Sequence, residues 1–262
     1  MTRILAVANQ KGGVGKTTST VNLAAALAGA GHHVLVIDLD PQGNASTALG
    51  VEHHSGIPGT YEVLTDDARL SDIVAACPQN PYLWVAPATI DLAGAEIELV
   101  SLVARETRLA RAVTDYLDAH LLAQGRELDY VLIDCPPSLG LLTINAFVAA
   151  KEVLMPIQCE YYALEGVSQL LRTIELVKSH VNPQLRIGAV LMTMYDGRTR
   201  LSAQVVDEVR THFGALMLPT LIPRSVRLSE APSFGQTIFA YDPESAGAVA
   251  YRAAAHELVA MT

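Results

Sequence analysis

The sequence is short of lysine, of cysteine and of long apolar runs, and each shortage excludes something. Only four lysines are present (Lys11, Lys16, Lys151, Lys178), and a net charge of −9 makes the chain as a whole a poor match for a polyanion. The three cysteines, Cys77, Cys135 and Cys159, are odd in number and lack C-x-x-C spacing. That argues against a disulfide framework and for a reducing, intracellular compartment. No apolar run approaches the roughly 18 residues of a membrane span. The first residues lack the basic, apolar and small-residue order of a secretory leader. Disorder is excluded by an apolar content of 50% against 17% charged. The expectation is a soluble, cytoplasmic chain forming one domain over 1–262, without internal repeat or long linker.

The charge that is present lies unevenly. Residues 186–227 hold six arginines (Arg186, Arg198, Arg200, Arg210, Arg224, Arg227) against three acids, Asp196, Asp207 and Glu208. That segment carries +3 and the remainder −12. Two of the four lysines fall in one stretch near the N-terminus, "ANQKGGVGKTT" (8–18).

Strand-length apolar runs recur at 4–9, 33–40, 82–87, 130–135, 152–158, 187–194 and 215–223. Patterns of helical period lie between several of them, at 17–30, 100–123, 162–180 and 200–213. Near-continuous apolar strands alternating with helices predict an α/β fold: a mostly parallel twisted sheet flanked by helices on both faces. The stretch 50–60 reads as a surface excursion and 241–262 as a closing helix.

The opening stretch has the context of a phosphate-binding loop: an apolar strand, a glycine cluster (Gly12, Gly13, Val14, Gly15), then Lys16-Thr17-Thr18 starting a helix. Glycines let successive backbone N–H groups converge on phosphate oxygens, and the helix N-terminus adds its dipole. Lys16 is then expected on the β- and γ-phosphates of a nucleotide and the Thr17 hydroxyl in the Mg²⁺ shell. The standard G-x-x-x-x-G-K-[ST] pattern would need glycine at position 10, where Gln10 stands. Further on, "VLVIDLDPQGNAS" (34–46) carries Asp38 and Asp40, and "YVLIDCPPS" (130–138) carries Asp134. All three lie at the carboxyl ends of apolar strands, where open α/β sheets hold their ligands. A carboxylate at the Asp134 position holds Mg²⁺ directly or through water.

The sequence K-G-G-V-G-K-T-T, with Lys11 gained and the first glycine lost, resembles the deviant Walker A motif of the ParA/MinD family of ATPases. D-x-D-P-Q-G-N and D-C-P-P-S resemble that family's two switch segments. The stretches 156–166, 192–214 and 221–238 resemble chromosomal ParA proteins of the Soj type. The resemblance implies a P-loop ATPase that binds ATP or ADP with Mg²⁺ and hydrolyses ATP. Lys11 would act in trans on the nucleotide of a second subunit in an ATP-bound homodimer. Asp40 would orient the attacking water, Asp38 would support it, and Asp134 would hold Mg²⁺. Pro223 and Arg224 would line the adenine, with Ser225 where the family has Asn. Arg198 and Arg227 would bind double-stranded DNA non-specifically, with Arg200 and Arg224 as neighbours. A ParB-type centromere-binding partner would stimulate hydrolysis and release the dimer from the nucleoid. Cys135 departs from the small residue usual in the second switch, and no chemistry is assigned to it.

Other members of the family imply other outcomes. A MinD-like membrane ATPase needs a basic amphipathic C-terminal helix, and "YRAAAHELVAMT" carries one arginine and no lysine. A nitrogenase-iron-protein-like ATPase needs cluster cysteines in a motif these three do not form. A plasmid-type repressor ParA carries an N-terminal helix-turn-helix domain, not expected so near the loop. A relative that positions a protein cargo through the same DNA switch stays open.

Overall fold

A strand buried at every position must be covered on both faces. The computed structural model, which describes residues 1–161 and 165–261, is built on two such strands, β2 and β5. In chain order its strands are β1 (Arg3–Val7), β2 (Val34–Asp38), β3 (Ala75–Ala76), β4 (Leu83–Ala86), β5 (Tyr130–Asp134), β6 (Glu152–Gln158), β7 (Arg186–Tyr195) and β8 (Met217–Pro223). The helices of the first half are α1 (Lys16–Gly29), α2 (Asn44–Ala48), α3 (Thr60–Thr65), α4 (Leu70–Ile73), α5 (Leu92–Glu98) and α6 (Arg108–Gln124). Those of the second half are α7 (Leu141–Ala149), α8 (Glu165–His180), α9 (Arg200–Phe213), α10 (Val226–Glu230), α11 (Ile238–Tyr241) and α12 (Ala246–Ala260). The strands bond in the order β3-β4-β2-β5-β1-β6-β7-β8, parallel throughout except for β3 against β4.

Side chains alternate across a strand, so each central strand feeds two cores. Ile4, Ala6, Leu35, Ile37, Val131 and Ile133 pack with Leu109, Phe147, Leu170 and Val209 of α6, α7, α8 and α9. Leu5, Val7, Val34, Val36 and Leu132 pack with Leu23 and Leu27 of α1 and Tyr251 and Leu258 of α12. Each of the buried Leu, Ile, Val and Phe side chains contributes about 1.5–3 kcal/mol by leaving water. The expected α/β architecture is present, and α9 spans 200–213 as anticipated. Its start is fixed by Thr199, whose hydroxyl accepts the Ser202 N–H.

Three expectations need correction. The helix anticipated over 100–123 begins at Arg108, and α5 with a 3₁₀ turn over Leu99–Ser101 precedes it. The break falls where Ala104 takes the left-handed region at φ +54°, which no helix accommodates. The closing helix starts at Ala246, because Pro243 lies in the turn before it and Ser245 caps it. The antiparallel strand β3 was not anticipated; two residues offer no period to read. For the helical pattern 162–180 and the motif 156–166, residues 162–164 lie outside the described residues.

The sheet order has one result that matters for the site. β5 lies between β2 and β1, pairing Asp134 with Asp38 on one side and with Val7 on the other. The ends of these three strands therefore meet.

Candidate functional site

β1 ends at Val7 and α1 starts at Lys16, and the loop between them turns through two left-handed glycines, Gly13 at φ +73° and Gly15 at φ +85°. The loop is fastened from three sides. The Asn9 side chain is buried, donates to the Pro156 carbonyl at 2.8 Å and accepts the Lys11 N–H at 3.1 Å. Thr193 of β7 donates its hydroxyl to the Val14 carbonyl at 2.8 Å. The Lys16 ammonium, buried beneath the loop, donates to the Lys11 carbonyl at 3.2 Å. Burial lowers the Lys16 pKa, and Asp134, Cys135 and Asp40 oppose that shift. The Lys11 side chain reaches in the other direction and forms an ion pair with Glu160, two residues beyond β6.

The three strand-end carboxylates gather beside the loop. Asp134 is fully buried and accepts the Thr17 hydroxyl at 2.7 Å and the Thr20 hydroxyl at 2.8 Å. Asp38, also fully buried, accepts the Ser46 N–H at 2.9 Å, the Ser46 hydroxyl at 2.8 Å and the Asp40 N–H at 3.1 Å. Burial raises both carboxyls above the usual range, and neighbouring carboxylate charge raises them further. Asp134 and Asp40 both act on the Lys16 ammonium, and Asp38 acts on Asp134, so acidic groups outnumber the one basic group. Carboxylate and hydroxyl oxygens are the donors that hard divalent cations select, so Asp134 and Thr17 fit a Mg²⁺. The sequence reading missed Thr20 and Ser46. Thr20 lies three residues after Thr17, on the same helix face, which was the available signal for it.

A cavity of about 130 Å³ opens next to the loop, lined by Gly15, Thr18, Met194, Pro223, Arg224 and Ser225 among others. Pro223 and Arg224, which the family resemblance implies for the adenine, are two of its lining residues. Met194 was not anticipated: it holds φ +54°, unusual for a residue with a side chain, within an irregular stretch of β7. Larger hollows of about 430, 380 and 280 Å³ include none of these residues, and one of about 220 Å³ takes in Thr17 and Thr18 of α1.

Of the late arginines, Arg224 lines the cavity of about 130 Å³. The Arg224 N–H donates to the Tyr195 carbonyl at 3.0 Å, tying the end of β8 to the end of β7. One residue past Tyr195, Asp196 takes a forked bond from the exposed Arg198 guanidinium, at 2.9 and 2.7 Å, which holds its pKa at about 2. Arg227, on α10, is exposed, lies over the Tyr241 ring and has Glu230 and Asp242 at 3.5 and 3.6 Å. The looser Arg227 contacts are of the weak, exposed kind, whereas Arg198 is held by a well-made fork. Cys135 is buried, and its thiol is pushed far up, first by burial and then by the charge of Asp134.

A parallel sheet that delivers a glycine turn, a buried lysine and strand-end aspartates to one edge defines a P-loop protein of the α/β class. Residues 2–187 match the family model described as "AAA domain". The sporulation initiation inhibitor protein Soj of Bacillus subtilis is 54% identical over 260 residues, covering 99% of both chains. The chromosome partitioning protein ParA of Myxococcus xanthus is 50% identical, over 98% of this chain and 88% of that one. Among solved structures, a Mycobacterium smegmatis protein named cobyrinic acid a,c-diamide synthase, with bound ATP analogue and magnesium, superposes with a TM-score of 0.83 at 40% identity. That match covers 99% of this chain and 95% of the other. The chain belongs to the ParA/MinD family of P-loop ATPases, among its chromosome-partitioning members of the Soj and ParA type. Among the described residues no helix is long and apolar enough to cross a membrane.

Proposed function

We propose that this protein is a Mg²⁺-dependent ATPase that partitions DNA as a nucleotide-switched dimer, in the cytoplasm and on the nucleoid. The observation that carries the reading is the pair of lysines on one loop. Lys16 is buried against the carboxylates, whereas Lys11 projects to a partly exposed position where its charge is not needed by its own site. One subunit's ATP is served by Lys16, and Lys11 is the group left for a second subunit's. The partitioning role rests on the relatives matched end to end at 54% and 50% identity.

In this reading Lys16 binds the β- and γ-phosphates, while the backbone of Gly12, Gly13, Val14 and Gly15, with Thr18, wraps them. Thr17 and Asp134 would hold Mg²⁺, which would offset the charge that develops as the terminal phosphoryl group transfers to water. Asp40 orients that water; Asp38, held by Ser46, fixes the Asp40 backbone. Lys11 adds positive charge from the second subunit, an effect worth roughly 10³–10⁵ in rate for arginine groups that act this way. Pro223 and Arg224 flank the base.

Arg198 and Arg227 bind DNA phosphates, which gives sequence-independent and salt-sensitive affinity. The few arginines of one subunit bind weakly; closing the dimer doubles them, so ATP acts as the DNA switch through valency. A ParB-type partner stimulates hydrolysis and releases the dimer. The deciding experiment is sedimentation of the protein with AMPPNP, with ADP and without nucleotide. A dimer is expected only with AMPPNP. Lys11→Ala should bind nucleotide and stay monomeric; a triphosphate-induced dimer indifferent to Lys11→Ala would defeat the assignment.

A further inference from the structure

Resting on that two-subunit reading, we propose that Glu160 is a positioning residue that parks Lys11 inside its own subunit and so sets the threshold for dimer closure. The geometry separates what is fixed from what can swing. The Lys11 backbone is pinned on both sides: its N–H donates to Asn9 and its carbonyl accepts the Lys16 ammonium. Glu160 is mounted on an equally firm base, because the Cys159 N–H donates to the Thr193 carbonyl at 3.0 Å and the Glu160 N–H to the Gln158 carbonyl at 2.8 Å. Thr193 is the residue whose hydroxyl holds Val14. The two chain segments that carry the pair are thus tied to one strand residue, and only the side chains are free to exchange partners.

Both side chains are about a third exposed, 38% for Lys11 and 36% for Glu160, so the pair can open without disturbing the core. A carboxylate offers one negative charge. A triphosphate presented by a second subunit offers several, and so outcompetes Glu160 for the ammonium once it is close. Until then the lysine is kept folded down on its own subunit instead of sampling the dimer face. A partly exposed pair is weak, so the latch delays closure without forbidding it. Closing a symmetric dimer opens two latches, and their effects multiply.

The test is the dimer dissociation constant by sedimentation in AMPPNP, with ADP as the control. Glu160→Gln should tighten the AMPPNP dimer by about two- to thirtyfold, the product of two exposed ion pairs. It should leave the ADP form monomeric. Glu160→Asp, which keeps the charge, should stay near wild type, and Glu160→Gln added to Lys11→Ala should change nothing. A purely structural Glu160 would instead shift the melting temperature equally in both nucleotides. Should Glu160→Gln fail to fold, Glu160→Ala serves with the same expected direction. A wild type that dimerises while the neutral variant shows an unchanged or weaker constant overturns the latch alone. A wild type that never dimerises in AMPPNP overturns the two-subunit reading, and the latch with it.

Discussion

Without nucleotide or metal, the protein is expected to lose stability as the pH rises from about 4 to 7, and Asp134→Asn should make that loss smaller. Asp134 sits fully buried beside Asp38, and its carboxyl is pushed up to about 7. A carboxyl with a raised pKa keeps its proton in the fold after the unfolded chain has released it. The folded state then binds more protons across this window, and stability falls as pH rises through the folded pKa. Holding the proton from near pH 4 to near pH 7 corresponds to about 4 kcal/mol. Asp38, raised chiefly by its own burial, adds to the fall in the same direction. For a chain of this size about 4 kcal/mol corresponds to about 8–16 °C in melting temperature. His33 and His120, whose pKa values burial lowers, contribute with the opposite sign, so the quantity to measure is the difference between wild type and variant. Asparagine can accept only one of the two threonine hydroxyls and must donate to the other, a change of about 1 kcal/mol that is the same at every pH. The slope therefore decides, not the height. Melting curves of both proteins from pH 4 to 8 supply it. Parallel profiles would refute the claim that this buried carboxyl pair is strained.

Two further outcomes follow from the same geometry. Arg227→Ala should weaken binding of the AMPPNP form to DNA of any sequence, in a gel shift across a salt series, and lower the salt slope by about one for each phosphate no longer neutralised. Retained affinity with an unchanged slope would remove Arg227 from the DNA surface. Gly15→Ala should cost about 1–2 kcal/mol from backbone strain alone, because Gly15 sits at φ +85° while an added Cβ would meet Thr193 at an ordinary 3.7 Å. The melting temperature should then drop by about 2–8 °C, and no drop would contradict the left-handed turn.

The sheet was legible because β2 and β5 are unbroken apolar runs, a pattern only a doubly covered strand produces. The lysines, the glycine turn and the three aspartates were legible because their chemistry demands those residue types at strand ends. Features made by distant neighbours were not. Nothing local marks Ala104 as a left-handed helix break or Met194 as a left-handed residue in the cavity wall. Ser46 matters only because it lies against Asp38, and Glu160 only because Lys11 turns toward it.

The position of β5 has a consequence for how the molecule comes into being. The phosphate loop follows β1 and Asp38 ends β2, yet these strands do not touch; the strand that joins them is made nearly a hundred residues later and slips in between. An emerging polypeptide therefore carries the glycine turn for a long interval with no carboxylate opposite it. Insertion of β5 joins β1 to β2 and brings Asp134 to the loop, and β6 and β7 then fasten the loop through Pro156 and Thr193, so a chain that has not yet folded through residue 134 has no half-working version of the site to misuse.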